Sequence, residues 1–168
     1  MNRKFATLVS SAIGGVLLLA GSALAEDKSV DWKMVNAAKI SLAKGLAAAQ
    51  AKGKPISGKF EMEDGKLQLS TYTASKGKYW EVIVNHISGK IAKSEQIKDG
   101  DDYTHATDQT KAMAKAKKTL SAAVAKAVAG NAGYKAVSAM PSLEQDTPVA
   151  RIILQNATGT KTVSENLR

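Results

Sequence analysis

The chain repeats itself, and that constrains its fold more than any single motif. Displaced by 70 residues, Glu81-Val82-Ile83-Val84-Asn85-His86-Ile87-Ser88-Gly89 falls on Arg151-Ile152-Ile153-Leu154-Gln155-Asn156-Ala157-Thr158-Gly159. Apolar residues meet apolar ones, amides meet amides, and both glycines align. Under the same displacement Ser94-Glu95-Gln96-Ile97 falls on Ser164-Glu165-Asn166-Leu167. A displacement of 78 places Lys33, Ala38, Lys39, Leu42 and Ala47 on Lys111, Ala116, Lys117, Leu120 and Ala125. The difference between the two displacements predicts extra residues in the middle of the first copy.

Each copy opens on a helical pattern. Val35, Leu42, Leu46 and Ala49 recur at helical spacing in the first, and Met113, Leu120, Val124 and Ala127 in the second. Asp31 is the expected N-cap of the first helix, Thr104 or Thr107 that of the second, and Gly53 and Gly130 the stops. The period then changes to two. Ile56, Phe60 and Met62 alternate with Lys59, Glu61 and Glu63, and Asp64-Gly65 marks a hairpin. Strands follow at Lys66–Thr73, Tyr79–Ile87 and Lys90–Ile97. In the second copy Tyr134–Met140, Val149–Ala157 and Thr160–Leu167 read as strands, with a loop from Pro141 to Pro148. The fold class expected is α+β, as two tandem copies of a helix packed on a small antiparallel β-meander. The copies would span residues 26–98 and 104–168, joined by a polar linker at 99–103.

Residues 1–25 have another character. Arg3 and Lys4 precede an apolar stretch from Ala12 to Ala20, and Ala23-Leu24-Ala25 stands before Glu26-Asp27-Lys28. A positive start, a short apolar stretch and an Ala-x-Ala exit make a secretory signal peptide, with cleavage expected between Ala25 and Glu26. The apolar stretch falls short of the roughly 20 residues that span a bilayer. No stable membrane anchor is therefore expected after cleavage, and the location is periplasmic or secreted. The sequence contains no cysteine, which excludes lipid attachment through cysteine, thiol chemistry and disulfides. The formal net charge is +9, and removing Arg3 and Lys4 leaves +7 on 143 residues. Such a balance suits acidic partners, although lysines spread along the whole chain also serve solubility. Nucleic acid is a poor partner for an exported chain.

Between Gly53 and Ile91 the residues resemble the PepSY family. The similarity rests on a helix ending at Gly53, the run Ile56-Ser57-Gly58-Lys59-Phe60-Glu61-Met62-Glu63-Asp64-Gly65-Lys66, and Tyr79-Trp80-Glu81-Val82-Ile83-Val84 leading into Asn85-His86-Ile87-Ser88-Gly89-Lys90-Ile91. Ile152 to Thr160 is a weaker version of the same ending. The family's usual aspartate near the last turn is His86 in the first copy and Asn156 in the second. The tandem plan is also similar to that of two-copy beta-lactamase inhibitory proteins. These resemblances imply an exported, non-catalytic protein that binds a protein partner and inhibits or regulates an enzyme of the envelope, a peptidase first of all.

The residues themselves supply no catalytic signature, and neither cofactor nor metal ligand set is expected. His86 and His105 stand in unlike contexts, without a carboxylate or second histidine at ligand spacing. Asp99, Asp101 and Asp102 lack the pattern of a calcium loop. Strand alternation points Trp80, Val82 and Val84 at the helix, together with Ala150, Ile152 and Leu154. The opposite face receives Tyr72, Tyr79, Ile83 and Ile153, a candidate platform for a partner unless another layer covers it. Lys76 and Lys78, in the adjoining turn, would probe an acidic cleft on that partner. The alternative is an envelope carrier or sensor for a small ligand or metal, with His86 and the tyrosines as its contacts. Oligomeric state is left open.

Overall fold

The two alanine-rich helical stretches each break once. The structure, a computed structural model, describes residues 30–168; the expected signal segment and its cleavage site lie outside them. Helix α1 (Trp32–Ala37) begins on Asp31, whose side chain accepts from the Lys33 N–H. The backbone turns extended at Ala38 (ψ 134°), and α2 (Leu42–Ala49) restarts on Ser41, which caps Lys44 N–H. The second half does the same. Helix α3 (Gly100–Lys115) ends at Ala116 (ψ 135°), and α4 (Leu120–Ala129) starts on Thr119, which caps Ala122 N–H. Ser41 and Thr119 hold extended backbone while satisfying an orphan amide of the helix they open. Amides freed at each break find carbonyls elsewhere. Lys39 and Ile40 donate to the His86 carbonyl at 2.9 and 2.9 Å, and Lys117 and Lys118 to that of Leu167 at 2.8 and 3.0 Å.

The expected linker at 99–103 is the cap and first turn of α3. Thr104 and Thr107 lie inside that helix, their hydroxyls donating back to the Gly100 and Tyr103 carbonyls.

Strands β1 (Lys54–Glu63), β2 (Lys66–Ser75), β3 (Lys78–Val84) and β4 (Ile91–Ile97) form a meander, as do β5 (Lys135–Glu144), β6 (Thr147–Asn156) and β7 (Gly159–Asn166). The expected loop over Pro141–Pro148 is strand and turn, with Gln145 and Asp146 both at positive φ (45° and 65°). Pro141 is tolerated because β5 pairs with β1 only at Ala139 and Ser138, so further along the strand that edge lacks a ladder to break.

Two tandem units, each a helix on its own small meander, do not form. All seven strands join one antiparallel sheet in the order β4-β3-β2-β1-β5-β6-β7. Helices α2 and α4 pack together on one face. Helix α3 lies on the other face and reaches strands of both halves. A separate unit would leave the outer edge of its first strand bare; joining β1 to β5 pairs the middle of both edges, and α2 against α4 widens two narrow alanine stripes into one core. Leu42, Leu46, Leu120 and Val124 meet Ile56, Phe60, Leu69, Val82, Ala139, Ile152 and Leu154 there, all buried.

The internal repeat is real in this sheet but runs in another register. Helices correspond at 78 residues, as read from sequence, while strands correspond at 81 and not 70. Bulges fall at Pro55/Ser57 and Ala136/Ser138. The tight turns Asp64-Gly65 (φ 48°, 72°) and Gln145-Asp146 occupy matching places. His86 and Leu167, whose carbonyls receive the freed helix amides, are 81 apart. A displacement of 70 instead lays β3 on β6, yet β6 lies beside β5 as β2 lies beside β1. The counterpart of β3 is β7, and β4 has no counterpart.

Candidate surface on the sheet face beneath the third helix

Antiparallel partners share a face, so the register sorts every side chain. Leu69 meets α2 and pairs with Phe60 and Val84; Gly58 also lies under α2 and pairs with Thr71 and Ala139. The other face carries Ser57, Lys59 and Glu61 of β1, Ser70 and Tyr72 of β2, and Tyr79, Glu81 and Ile83 of β3. Helix α3 crosses the lower end of this face. Its Gln109 accepts a bond from the Ser57 hydroxyl at 2.7 Å, and its Tyr103 ring packs edge-on to Tyr79 at 5.1 Å between centroids. Helix α1 takes the upper end of the same face, where Lys135 of β5 donates to the Asn36 carbonyl at 2.9 Å.

The expected platform is therefore only partly open. Tyr72, Tyr79 and Ile83 do lie together, half-buried, facing away from α2. Tyr79 is roofed by α3 through Tyr103, which is itself 41% exposed. Lys76 and Lys78 are exposed at the β2–β3 turn, just beyond the tyrosine pair. Ile153 shares the face but belongs to β6, four strand positions from β3 or about 19 Å away. It belongs to a separate patch. Sequence reasoning misses Tyr103 because its neighbours, Asp99 to Asp102, have the composition of a linker.

Polar groups knit the middle of the face. The Ser70 hydroxyl donates to Glu61, Lys59 bridges Glu61 at 2.7 Å, and Tyr72 donates to Glu81 at 3.4 Å. Burial first, then the neighbouring Glu61 charge, raises the Glu81 carboxyl above the usual carboxylate range. Burial and the Glu81 and Glu61 carboxylates likewise push the Tyr72 hydroxyl up, so it stays a donor. Beside them four carboxylates, Glu81, Glu95, Asp99 and Asp102, outnumber Lys98 in the lining of a shallow cleft of about 380 Å³ between β3, β4 and the start of α3. A basic chain thus carries a local acidic strip.

Glu81 gives a pH prediction. A carboxyl whose folded pKa is raised contributes its stability fully below its unfolded pKa, about 4.3, and loses it as pH rises through the folded value. Glu81→Gln is expected to raise the melting temperature at pH 7 and leave it unchanged near pH 4. An equal shift at both pH values would show that charge is not the cause.

His86 is half-buried at the α1–α2 corner, where its main-chain carbonyl is the working group and its Nδ1 meets no hydrogen-bond partner among the described residues. Asn85 and Asn156 make the turns instead: Asn85 Oδ1 accepts from Ile87 and Ser88, and Asn156 Oδ1 from Thr158 and Gly159. His105 is exposed on α3. Among the described residues no three His, Cys, Asp or Glu side chains are grouped to hold a metal, and no helix is long and apolar enough to cross a membrane.

The fold defines an α+β protein with one antiparallel sheet clad by helices on both faces. No family model matches the chain, and no curated protein matches it. Among solved structures it is similar to a protein of Clostridium difficile 630 described as a candidate lipoprotein, at 9% identity and a TM-score of 0.45, over 78% of this chain and 88% of that one.

Proposed function

We propose that this is an exported, non-catalytic binding protein that docks a protein partner on the β1–β3 face beside α3 and regulates it. The carrying observation is the Tyr79–Tyr103 pair at the rim of that face, with Tyr103 41% exposed. Aromatic residues held by a neighbour bring contact area at little entropic cost and dominate binding hot spots. The exposed Lys76–Lys78 turn projects next to the pair and supplies charge for an acidic cleft on the partner. An exported peptidase as the partner rests on the resemblance of Ile56–Lys66 and Tyr79–Ile91 to PepSY sequences, and export on the pattern of residues 1–25.

The test uses immobilised residues 26–168, which contain every described residue, and an envelope extract of the host. One exported enzyme is expected in near-equal amount, its activity altered by the free protein. The double change Tyr79→Ala with Tyr103→Ala is expected to weaken that complex about 30-fold or more. Recovery of many acidic proteins that wash off with salt, or a complex indifferent to the double change, would sink this reading.

A further inference from the structure

We infer that β7 is an interface strand, pairing antiparallel with the β7 of a second copy to make a closed two-fold dimer with a continuous sheet. The sheet order reads outward from the β1/β5 seam as β2, β3, β4 on one side and β6, β7 on the other. On the first side β3 carries β4 along its outer edge. Its counterpart β7 has no strand there among the described residues, so about half of its eight residues, alternating along the strand, turn unpaired N–H and C=O groups outward.

This edge is guarded only by charge, at Lys161 and Glu165. β7 contains no proline, and its ladder with β6 runs from Val149↔Asn166 to Asn156↔Gly159 without a register shift. The side chains facing away from the helix layer are small and hydroxyl-bearing, Thr160, Thr162 and Ser164, all exposed. The other edge is blunted: β4 pairs with β3 through a register shift between Ile83 and Val84, and it carries an exposed Lys93–Glu95 bridge.

The partner is identified by charge and symmetry. Pairing two antiparallel copies about Val163 sets Val163 against Val163, Thr162 against Ser164, and Lys161 against Glu165, twice. Lys161, Val163 and Glu165 share the helix-side face, opposite Leu154, Ile152 and Ala150 on β6. Lys161 lies over the Tyr134 ring, 4.1 Å from its centroid, and Lys126 of α4 holds Glu165 at 2.5 Å. Lys161 of the second copy then completes a chain of lysine, carboxylate and lysine. Such a contact is self-complementary and closes after two copies, whereas β4 on β7 would run on into fibres. Opposite-charge cross-strand pairs stabilise this arrangement and like charges oppose it.

Charge swapping tests the inference on residues 26–168 by sedimentation and light scattering across a concentration series. The unaltered protein is expected to be a dimer. Lys161→Glu leaves two carboxylates opposed at each cross-strand pair, and Glu165→Lys leaves two ammonium groups opposed there. Each variant is expected to dimerise about tenfold more weakly or worse. Mixed one to one, the two variants restore an opposite charge to every pair, so the mixture is expected to recover a heterodimer. Circular dichroism of each variant separates loss of pairing from loss of fold. A monomer at every concentration, open-ended polymers, or a dimer unaffected by either reversal would overturn the inference. None of these outcomes depends on the partner-binding face, which lies at the other end of the sheet.

Discussion

Leu46→Ala is expected to lower the unfolding free energy by about 2–5 kcal/mol and, with it, the midpoint of a single transition for the whole chain. Leu46 is fully buried between α2 and the sheet, close to Gly58 of β1, the seam strand. A typical domain has only about 5–15 kcal/mol in total, so a cavity there removes a large share. Ile152→Ala, equally buried in the other half, is expected to act on the same transition to a similar extent. Denaturant melts followed by tryptophan fluorescence and by far-ultraviolet circular dichroism provide the check. Both tryptophans, Trp32 and Trp80, lie in the first half, whereas the dichroism reports both halves. Coincident curves are the mark of one core shared through α2, α4 and the β1/β5 seam. Two separated steps, with each substitution shifting only one, would show that the halves melt independently despite the common sheet.

The second large effect reverses an ordinary rule. Replacing a glycine inside a helix by alanine normally stabilises by about 0.5–1 kcal/mol. Gly45→Ala in α2 is expected to destabilise by about 1–3 kcal/mol, because its Cβ would stand 2.5 Å from Cδ2 and 3.1 Å from Cγ of Leu69, a fully buried side chain. The repeat explains how this site came to differ. At the equivalent places in the other half, 78 residues along the helix and 81 along the strand, stand Ala123 and Ala150, both buried. One half matches a glycine to a leucine, the other an alanine to an alanine. Gly58 under Leu46 corresponds to Ala139 and Val124, the same exchange of volume between layers. Adding Leu69→Ala to Gly45→Ala is therefore expected to cost less than the two single changes summed, by a coupling of at least about 0.5 kcal/mol, measured as a double-mutant cycle. Strict additivity would mean that the close approach is relieved by a shift of the whole helix.

Much of this packing is legible in the residues. The stripes Leu42, Leu46, Ala49 and Leu120, Val124, Ala127 do face the core, and Trp80, Val82 and Val84 do point at a helix while Tyr79, Glu81 and Ile83 point away. What fails has a common physical cause. Period-two alternation reports which face a residue lies on, and says nothing about whether its strand is central or peripheral. Glu81–Gly89 and Arg151–Gly159 match well because β3 and β6 both send alternate residues into one core, although β3 is the second strand from the seam and β6 the first. Helix periodicity continues through Ser41 and Thr119, so the breaks show only as cap residues within alanine-rich sequence. The joining of the halves rests on two residue pairs, Gly58↔Ala139 and Lys59↔Ser138, on α2 packing against α4, and on α3 crossing beneath strands of both, none of which leaves a local pattern. The candidate surface suffers for the same reason: alternation places its residues on the right face, but the helix that roofs part of it opens on residues with a linker's composition.

The narrow seam also sets an order of events. Every neighbouring pair of strands except β1 and β5 is consecutive in the chain and joined by a short turn, so those ladders close over small loops. Only the seam brings together residues 79–81 positions apart, through Lys59↔Ser138 and Gly58↔Ala139. A chain that emerges N-terminus first can therefore zip β1 to β4 long before β5 exists. During that interval the outer edge of β1 and the underside of β1–β3 stand uncovered, and both are closed by α3 and β5. The slow, collision-prone moment in the life of this protein is the wait between its two halves.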